Sequence, residues 1–184
     1  MSKLTHEYVK QLKHLHSTTD FGSGGKKIPS RLEKYLHDAD SILDYGSGKG
    51  IFSKTVKSTY PNIEVHSYDP VTSPIKLPDS VDITYSSDVL EHVEPEYIDH
   101  TLDTLFTITK KVQYHLIACH PASKKLRDGR NAHLIIQDPE WWRNKLKKYD
   151  WTIEFEKIKS KDKIVKFQQM KIVKYIVILK NETN

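Results

Sequence analysis

Residues Ser41–Gly50 read SILDYGSGKG, a short apolar run ending at Asp44, followed by glycines at alternate positions 46, 48 and 50. An apolar pattern of helical period then begins at Ile51. A glycine loop between a strand and a helix lets a ligand approach bare backbone, and the helix N-terminus adds partial positive charge. The spacing decides what kind of ligand. A dinucleotide fingerprint needs Gly-x-Gly-x-x-Gly, and its third position here is Ile51. A phosphate-cradling Gly-x-x-x-x-Gly-Lys-Ser/Thr cannot be laid on this stretch. It fails around Gly25-Lys26-Lys27 too, where Asp20 stands in place of the first glycine. An aspartate at the strand end would repel a pyrophosphate and suits a cationic ligand.

Outward from this loop the chain alternates strand and helix signals. Ile28–Asp38 has Leu32, Tyr35 and Leu36 at helical spacing, and Pro61 closes the helix after the glycines. Strands are expected at Ser41–Asp44, Ile63–Tyr68, Val81–Ser86 and Val112–Ala118, with a helix from about Pro95 through Phe106 between the last two. His120–Gln137 reads as a long loop. Asp138 and Pro139 carry the N-cap and first-turn signals of another helix. Two lysine-studded strands close the chain, roughly Trp151–Ile158 and Lys171–Leu179. Their connection, Lys159 to about Gln169, is too short for a crossover helix, so they should pair antiparallel. The expected fold is a three-layer α/β sandwich, mostly parallel, with an antiparallel last strand.

At 184 residues this is one domain by length, with residues 1–27 forming a helix and a glycine-rich segment ahead of a core at 28–184. No apolar run approaches the roughly 20 residues that span a bilayer, and the N-terminus lacks a secretory pattern, so a soluble cytoplasmic protein without membrane partners is expected. The single cysteine, Cys119, excludes a disulfide framework. None of the ten histidines falls at zinc-site spacing, so no metal is expected. The net charge is +5, but residues 143–180 alone carry +8, leaving −3 on the rest. That basic segment could meet nucleic-acid phosphates or simply form a solvated face.

The pattern Asp44-x-Gly46-x-Gly48-x-Gly50 resembles the first motif of the class I S-adenosylmethionine-dependent methyltransferases. Two further stretches extend the likeness. Asp69 ends the second strand, and VDITYSSDVLEHV (81–93), preceded by Leu77-Pro78-Asp79, looks like the fourth-strand motif of the small-molecule, type 11-like branch of that family. The matched motifs cover roughly residues 28–118. The resemblance implies S-adenosylmethionine as cofactor, held by Asp44, Tyr45, Gly46, Ser47, Gly48 and Gly50. It further implies Asp69 and Pro70 at the ribose and Ser87, Asp88 and Val89 beside the cofactor. It also implies a mobile lid over the cofactor from Phe21 and Gly22 onward. One unit of the family pattern is missing. Only 11 residues separate Asp69 from Val81, where the family fits a helix and a strand. A Rossmann-like methyltransferase sheet trimmed to six strands, without the usual third, is therefore expected, with adenine held by backbone around Ser73–Leu77.

Methyl transfer is an in-line displacement that needs alignment and, for a hydroxyl or protonated amine, removal of a proton. His92, His120 and His133 follow strand ends and are the candidate bases. Glu91, Arg130, Asn131 and Trp141 are candidates for holding the acceptor, Arg130 by bidentate contact with a phosphate or carboxylate. The acceptor expected is small or medium-sized, phosphorylated or glycosylated. The alternatives are a nucleic-acid methyltransferase using the basic segment, and a non-catalytic cofactor sensor or partner subunit. Oligomeric state is open.

Overall fold

Ile42, Leu43, Asp44 and Tyr45 are all buried, as a central parallel strand covered on both faces requires. The computed structural model describes residues 4–18, 21–165 and 168–182, so parts of the segment 1–27 and Lys166 of the basic segment lie outside the described residues. In chain order the elements are α1 (His6–Thr18), α2 (Ser30–Leu36), β1 (Ser41–Tyr45), α3 (Ile51–Thr59), β2 (Glu64–Tyr68) and β3 (Val81–Ser87). They continue with α4 (Ile98–Ile108), β4 (Thr109–Ala118), α5 (Pro139–Leu146), β5 (Thr152–Val165) and β6 (Gln168–Lys180). The six-stranded sheet has the order β2-β1-β3-β4-β6-β5. Strands β1 to β4 pair parallel, and β6 runs antiparallel to both β4 and β5.

Residues alternating along the strands divide the core in two. Leu43, Ile117, Tyr175, Val177 and Leu179 pack with Leu102 and Leu105 of α4 and Trp142 and Leu146 of α5. On the other face Ile42, Ile83, Tyr114 and Ile178 pack with Leu32 and Leu36 of α2 and Phe52 and Val56 of α3. A third cluster joins Tyr8, Leu12 and Leu15 of α1 to Leu126 and Ala132 in the loop after β4. The Thr5 amide and hydroxyl both donate to the Glu94 carboxylate, at 2.8 and 2.7 Å, which fixes the start of α1.

The trimmed sheet is as expected. Residues 70–80 hold no helix or strand beyond a single bridge between Asp69 and Ser73. The last hairpin departs from the expectation. Its strands do not stop near Ile158 and Lys171 but continue to Val165 and Gln168. Lysines alternating with apolar residues on a ribbon wet on both faces give no burial signal, so the connecting text reads as loop. β4 ends where Ala118 pairs with Lys174, so the outer part of the hairpin runs past the carboxyl edge of the sheet as an arm of roughly 20 Å. Among the described residues, no helix is long and apolar enough to cross a membrane.

Candidate active site

The glycines after β1 turn the chain sharply: Gly46, Gly48 and Gly50 have φ of 76°, 53° and 68°. The Gly46 and Ser47 amides donate to the Tyr68 carbonyl of β2, at 2.8 and 2.9 Å, pinning the loop to the sheet edge. At Gly48 the segment 21–27 comes so close that a Cβ would stand 2.5 Å from the Gly22 carbonyl oxygen. The Gly22 carbonyl in turn accepts from the Lys49 amide at 2.9 Å. Gly50 is different: it occupies the N-cap of α3 with open space around it.

Asp44 is buried beneath this loop. Its carboxylate accepts from the Ser53 hydroxyl at 2.6 Å, and no cation pairs with it among the described residues. Burial pushes its pKa up to about 6, an effect the Ser53 hydrogen bonds oppose and the Asp69 charge adds to. Asp69 carries more contacts. It accepts from the Gly48 amide at 3.1 Å and from the Val71 and Thr72 amides at 2.9 Å each. A carboxylate offers about four acceptor sites, so one is left for a ligand rather than the two that gripping both ribose hydroxyls would take.

The loop opens onto a cavity of about 420 Å³ at the carboxyl edge of the sheet, within the range of small-molecule sites. Twelve of the thirteen residues expected at the cofactor line it: Phe21, Gly22, Asp44, Tyr45, Gly46, Ser47, Gly48, Asp69, Pro70, Ser87, Asp88 and Val89. Gly50 does not; it only caps the helix. Ser73–Leu77 do not line it either. The Ser73 amide and carbonyl are both used by the Asp69 backbone, which leaves Pro70 as the nearby residue facing the cavity. Asp88 adopts φ 54°, in the left-handed region, and its carboxylate is held by Lys174 at 2.7 and 3.0 Å.

All three candidate histidines line the other end. Each has its Nδ1 against a backbone carbonyl: His92 on Ala132 at 2.6 Å, His120 on Val173 at 2.8 Å, and His133 on His120 at 2.5 Å. A carbonyl can only accept, so each Nδ1 carries a proton, and in the neutral ring Nε2 carries the lone pair. The rings of His92 and His133 stand 4.8 Å apart edge to face, with His120 5.5 Å beyond. Burial lowers the pKa of His92 to about 3, helped by His133, and lowers that of His133 as well. These two are neutral imidazoles.

The four residues expected at the acceptor do not line the cavity. Arg130 is exposed and spends its guanidinium on Asp128, at 2.8 to 2.9 Å. Asn131 staples its own loop: Oδ1 accepts from the Ala122 and His133 amides and Nδ2 donates to the Ala122 carbonyl. Trp141 packs against the core with the Lys145 ammonium over its ring. Glu91 is fully buried behind the histidines; its Oε1 accepts from the Ala118 amide at 3.1 Å. Burial, with Asp88 nearby, raises its pKa far above the usual carboxylate range.

Other residues form the walls in their place. Tyr8, Leu12 and His16 of α1 close one side, and the Tyr8 hydroxyl donates to the His92 carbonyl at 2.5 Å. Phe21 stands edge-on between His16 and His92. Lys124 and Lys174 supply the cations at the rim. The amphipathic pattern of α1 was the available signal for its wall role, but it does not say which face of the sheet the helix covers.

No protein-family model matches the chain, and no curated protein matches it. Solved structures do. A methyltransferase dependent on S-adenosylmethionine from Methanosarcina mazei superposes with a TM-score of 0.58 at 14% identity, covering 84% of this chain and 98% of that one. One from Archaeoglobus fulgidus gives 0.57 at 16%, covering 83% and 92%. The 1,6-didemethyltoxoflavin N1-methyltransferase of Burkholderia thailandensis, solved with its acceptor and S-adenosylhomocysteine, gives 0.55 at 13%, covering 98% and 92%. Strand order, the glycine turn after β1 and these superpositions agree: the chain has the fold of the class I S-adenosylmethionine-dependent methyltransferases, in a six-stranded form.

Proposed function

We propose that the protein transfers a methyl group from S-adenosylmethionine to a small or medium-sized acceptor bearing a phosphate or other anionic group. The observation that carries this reading is one cavity with two unlike ends. At one end, bare glycine backbone surrounds a buried carboxylate that has no cationic partner, which fits the amino group and sulfonium of the cofactor's methionine part. Ser47 Oγ, buried there without a hydrogen-bond partner, adds an unused polar atom. At the other end stand three imidazoles with their lone-pair nitrogens defined.

The bound cofactor supplies a methyl carbon already activated by its sulfonium. The chain's own residues do the rest. Asp44 and the Gly46–Gly48 backbone hold the methionine part, and Asp69 shapes the loop while keeping one acceptor site for the ribose. His120 Nε2 takes the proton from the attacking acceptor atom. Lys124 at the rim receives the acceptor's anionic group, the task expected of Arg130, beside Lys174, whose ammonium already holds Asp88. The segment Phe21–Lys27 lies across the glycine loop and acts as a lid.

Calorimetry with S-adenosylmethionine and S-adenosylhomocysteine, followed by an acceptor screen with labelled methyl donor, tests this. Binding with no acceptor-dependent product across a broad screen would favour a non-catalytic sensor.

A second reading, a nucleic-acid acceptor, has one observation in its favour. Lys157, Lys159, Lys161 and Lys163 share one face of the β5–β6 arm, and Lys159 pairs directly with Lys174 at the cavity rim. A basic row thus leads from the arm to the site. Acceptor affinity falling steeply with salt would support it.

A further inference from the structure

Behind the acceptor end of the cavity, one ligand atom from each of Glu91, His92 and His133 lies within 4.8 Å of the other two. These residues are far apart in sequence, and three local constraints bring them together. The 3-10 turn after β3 presents Glu91 and His92 side by side. The Leu134 and Ile135 amides donate to the Glu91 carbonyl at 2.8 and 3.0 Å, which brings His133 back onto that turn. The carbonyls of Ala132 and His120 then orient the two rings.

Both imidazoles are in the state a cation needs, and Glu91, whose burial favours its protonated form, would exchange that proton for the ion. The two Nδ1 atoms are committed to carbonyls, and neither Nε2 makes a hydrogen bond among the described residues. A second-shell carbonyl on the far ring nitrogen is the usual device for orienting a metal-binding histidine. Glu91 Oε2 is buried with no hydrogen-bond partner. A fully buried carboxylate oxygen left unmatched is costly and rare. One carboxylate oxygen of Glu91 and one nitrogen of each ring lie within 4.8 Å of one another, and a cation shared among them would give the unmatched oxygen a partner.

We propose that Glu91, His92 and His133 form a binding site for a divalent first-row transition cation. Donors sharing such an ion with bonds of about 2.1 Å stand roughly 3 to 4 Å apart, so modest rotamer adjustments close the set. Two imidazoles and one carboxylate suit zinc, manganese, cobalt or iron, and leave coordination positions open toward the cavity. The site extends the methyl-transfer reading and depends on it only for its purpose. An acceptor hydroxyl on the cation would become more acidic. Its proton would pass to His120 Nε2 while the oxygen forms a bond to the methyl carbon. The carbon–sulfur bond then breaks, and its electron pair neutralises the departing thioether. This makes His92 and His133 ligands and leaves His120 as the base.

The test is titration of the full-length protein with Co²⁺, followed by its visible absorption, beside separate calorimetry with S-adenosylhomocysteine. The expected result is one ion per chain. Glu91→Gln and His133→Ala should each weaken it by about 100-fold, as the loss of ligand support does elsewhere, while His14→Ala leaves it unchanged. S-adenosylhomocysteine affinity should stay within a few-fold in all three variants. If Glu91→Gln fails to fold, His133→Ala decides alone. Absence of Co²⁺ binding, or binding equal in wild type and His133→Ala, would overturn the metal site. Absence of S-adenosylhomocysteine binding would instead count against the methyltransferase reading and leave the metal result standing.

Discussion

The two ends of the cavity are built by different means. The end at Asp44 and the glycine loop is made of backbone within one strand-turn-helix unit, residues 41–59. The end at the histidines is made of side chains from the 3-10 turn after β3, the loop after β4 and the last hairpin, held together by contacts as long in sequence as His120 to Val173. A backbone site tolerates little change, because a side chain added at its glycines meets the neighbouring backbone. A side-chain site can be refitted to a new acceptor one residue at a time. If, as proposed, the first end holds the donor and the second the acceptor, substitutions should separate the two.

The largest effect should come from the histidine end. His120→Ala is expected to lower turnover by roughly 10² to 10⁴-fold with S-adenosylhomocysteine affinity unchanged; an equal loss of cofactor affinity would erase the division between the ends. At the glycine end, Gly48→Ala places a Cβ against the Gly22 carbonyl at φ 53°. The strain of about 1–2 kcal/mol plus the displaced segment should weaken cofactor binding by at least about tenfold, measured by calorimetry.

Asp44 gives a pH signature. Its carboxyl is raised to about 6 in the empty protein, and the cationic ligand needs it ionised. Cofactor affinity should therefore be flat above pH 7 and fall by about tenfold per unit below pH 6. The empty fold should show the opposite sign at this group. The native state binds its proton more tightly than the unfolded chain does, so acidification from pH 7 toward 5 favours the empty fold at Asp44. Asp44→Asn should flatten the affinity profile. The smallest effect is expected at Gly50→Ala, where nothing lies within 4 Å. It should cost about 1 kcal/mol of stability through its left-handed φ and leave cofactor affinity unchanged, because Gly50 shapes the helix start and does not face the cavity.

The same division explains what could be read from the sequence. The β1–glycine–α3 unit is local, so its spacing in SILDYGSGKG is sufficient to place it. The missing strand is also visible, because 11 residues cannot hold a helix and a strand. The acceptor end depends on long-range packing, which local spacing does not encode. Arg130 looks like an anion clamp until Asp128, two residues away, is seen to hold it. Lys174 is 86 residues from Asp88, and no periodicity announces that pair. Glu91, expected at the acceptor, sits behind the histidines and not in the cavity. The reach of the β5–β6 arm gives no burial signal, because both of its faces are exposed, Ile158 and Ile164 included.

In the proposed function, Asp44 and the glycine backbone hold S-adenosylmethionine. Calorimetric titration of the wild-type chain with S-adenosylhomocysteine, repeated on Gly48→Ala and Gly50→Ala, tests it most directly. One site per chain is expected, weakened in Gly48→Ala and intact in Gly50→Ala. No binding to the wild type, or equal loss in both variants, would contradict it.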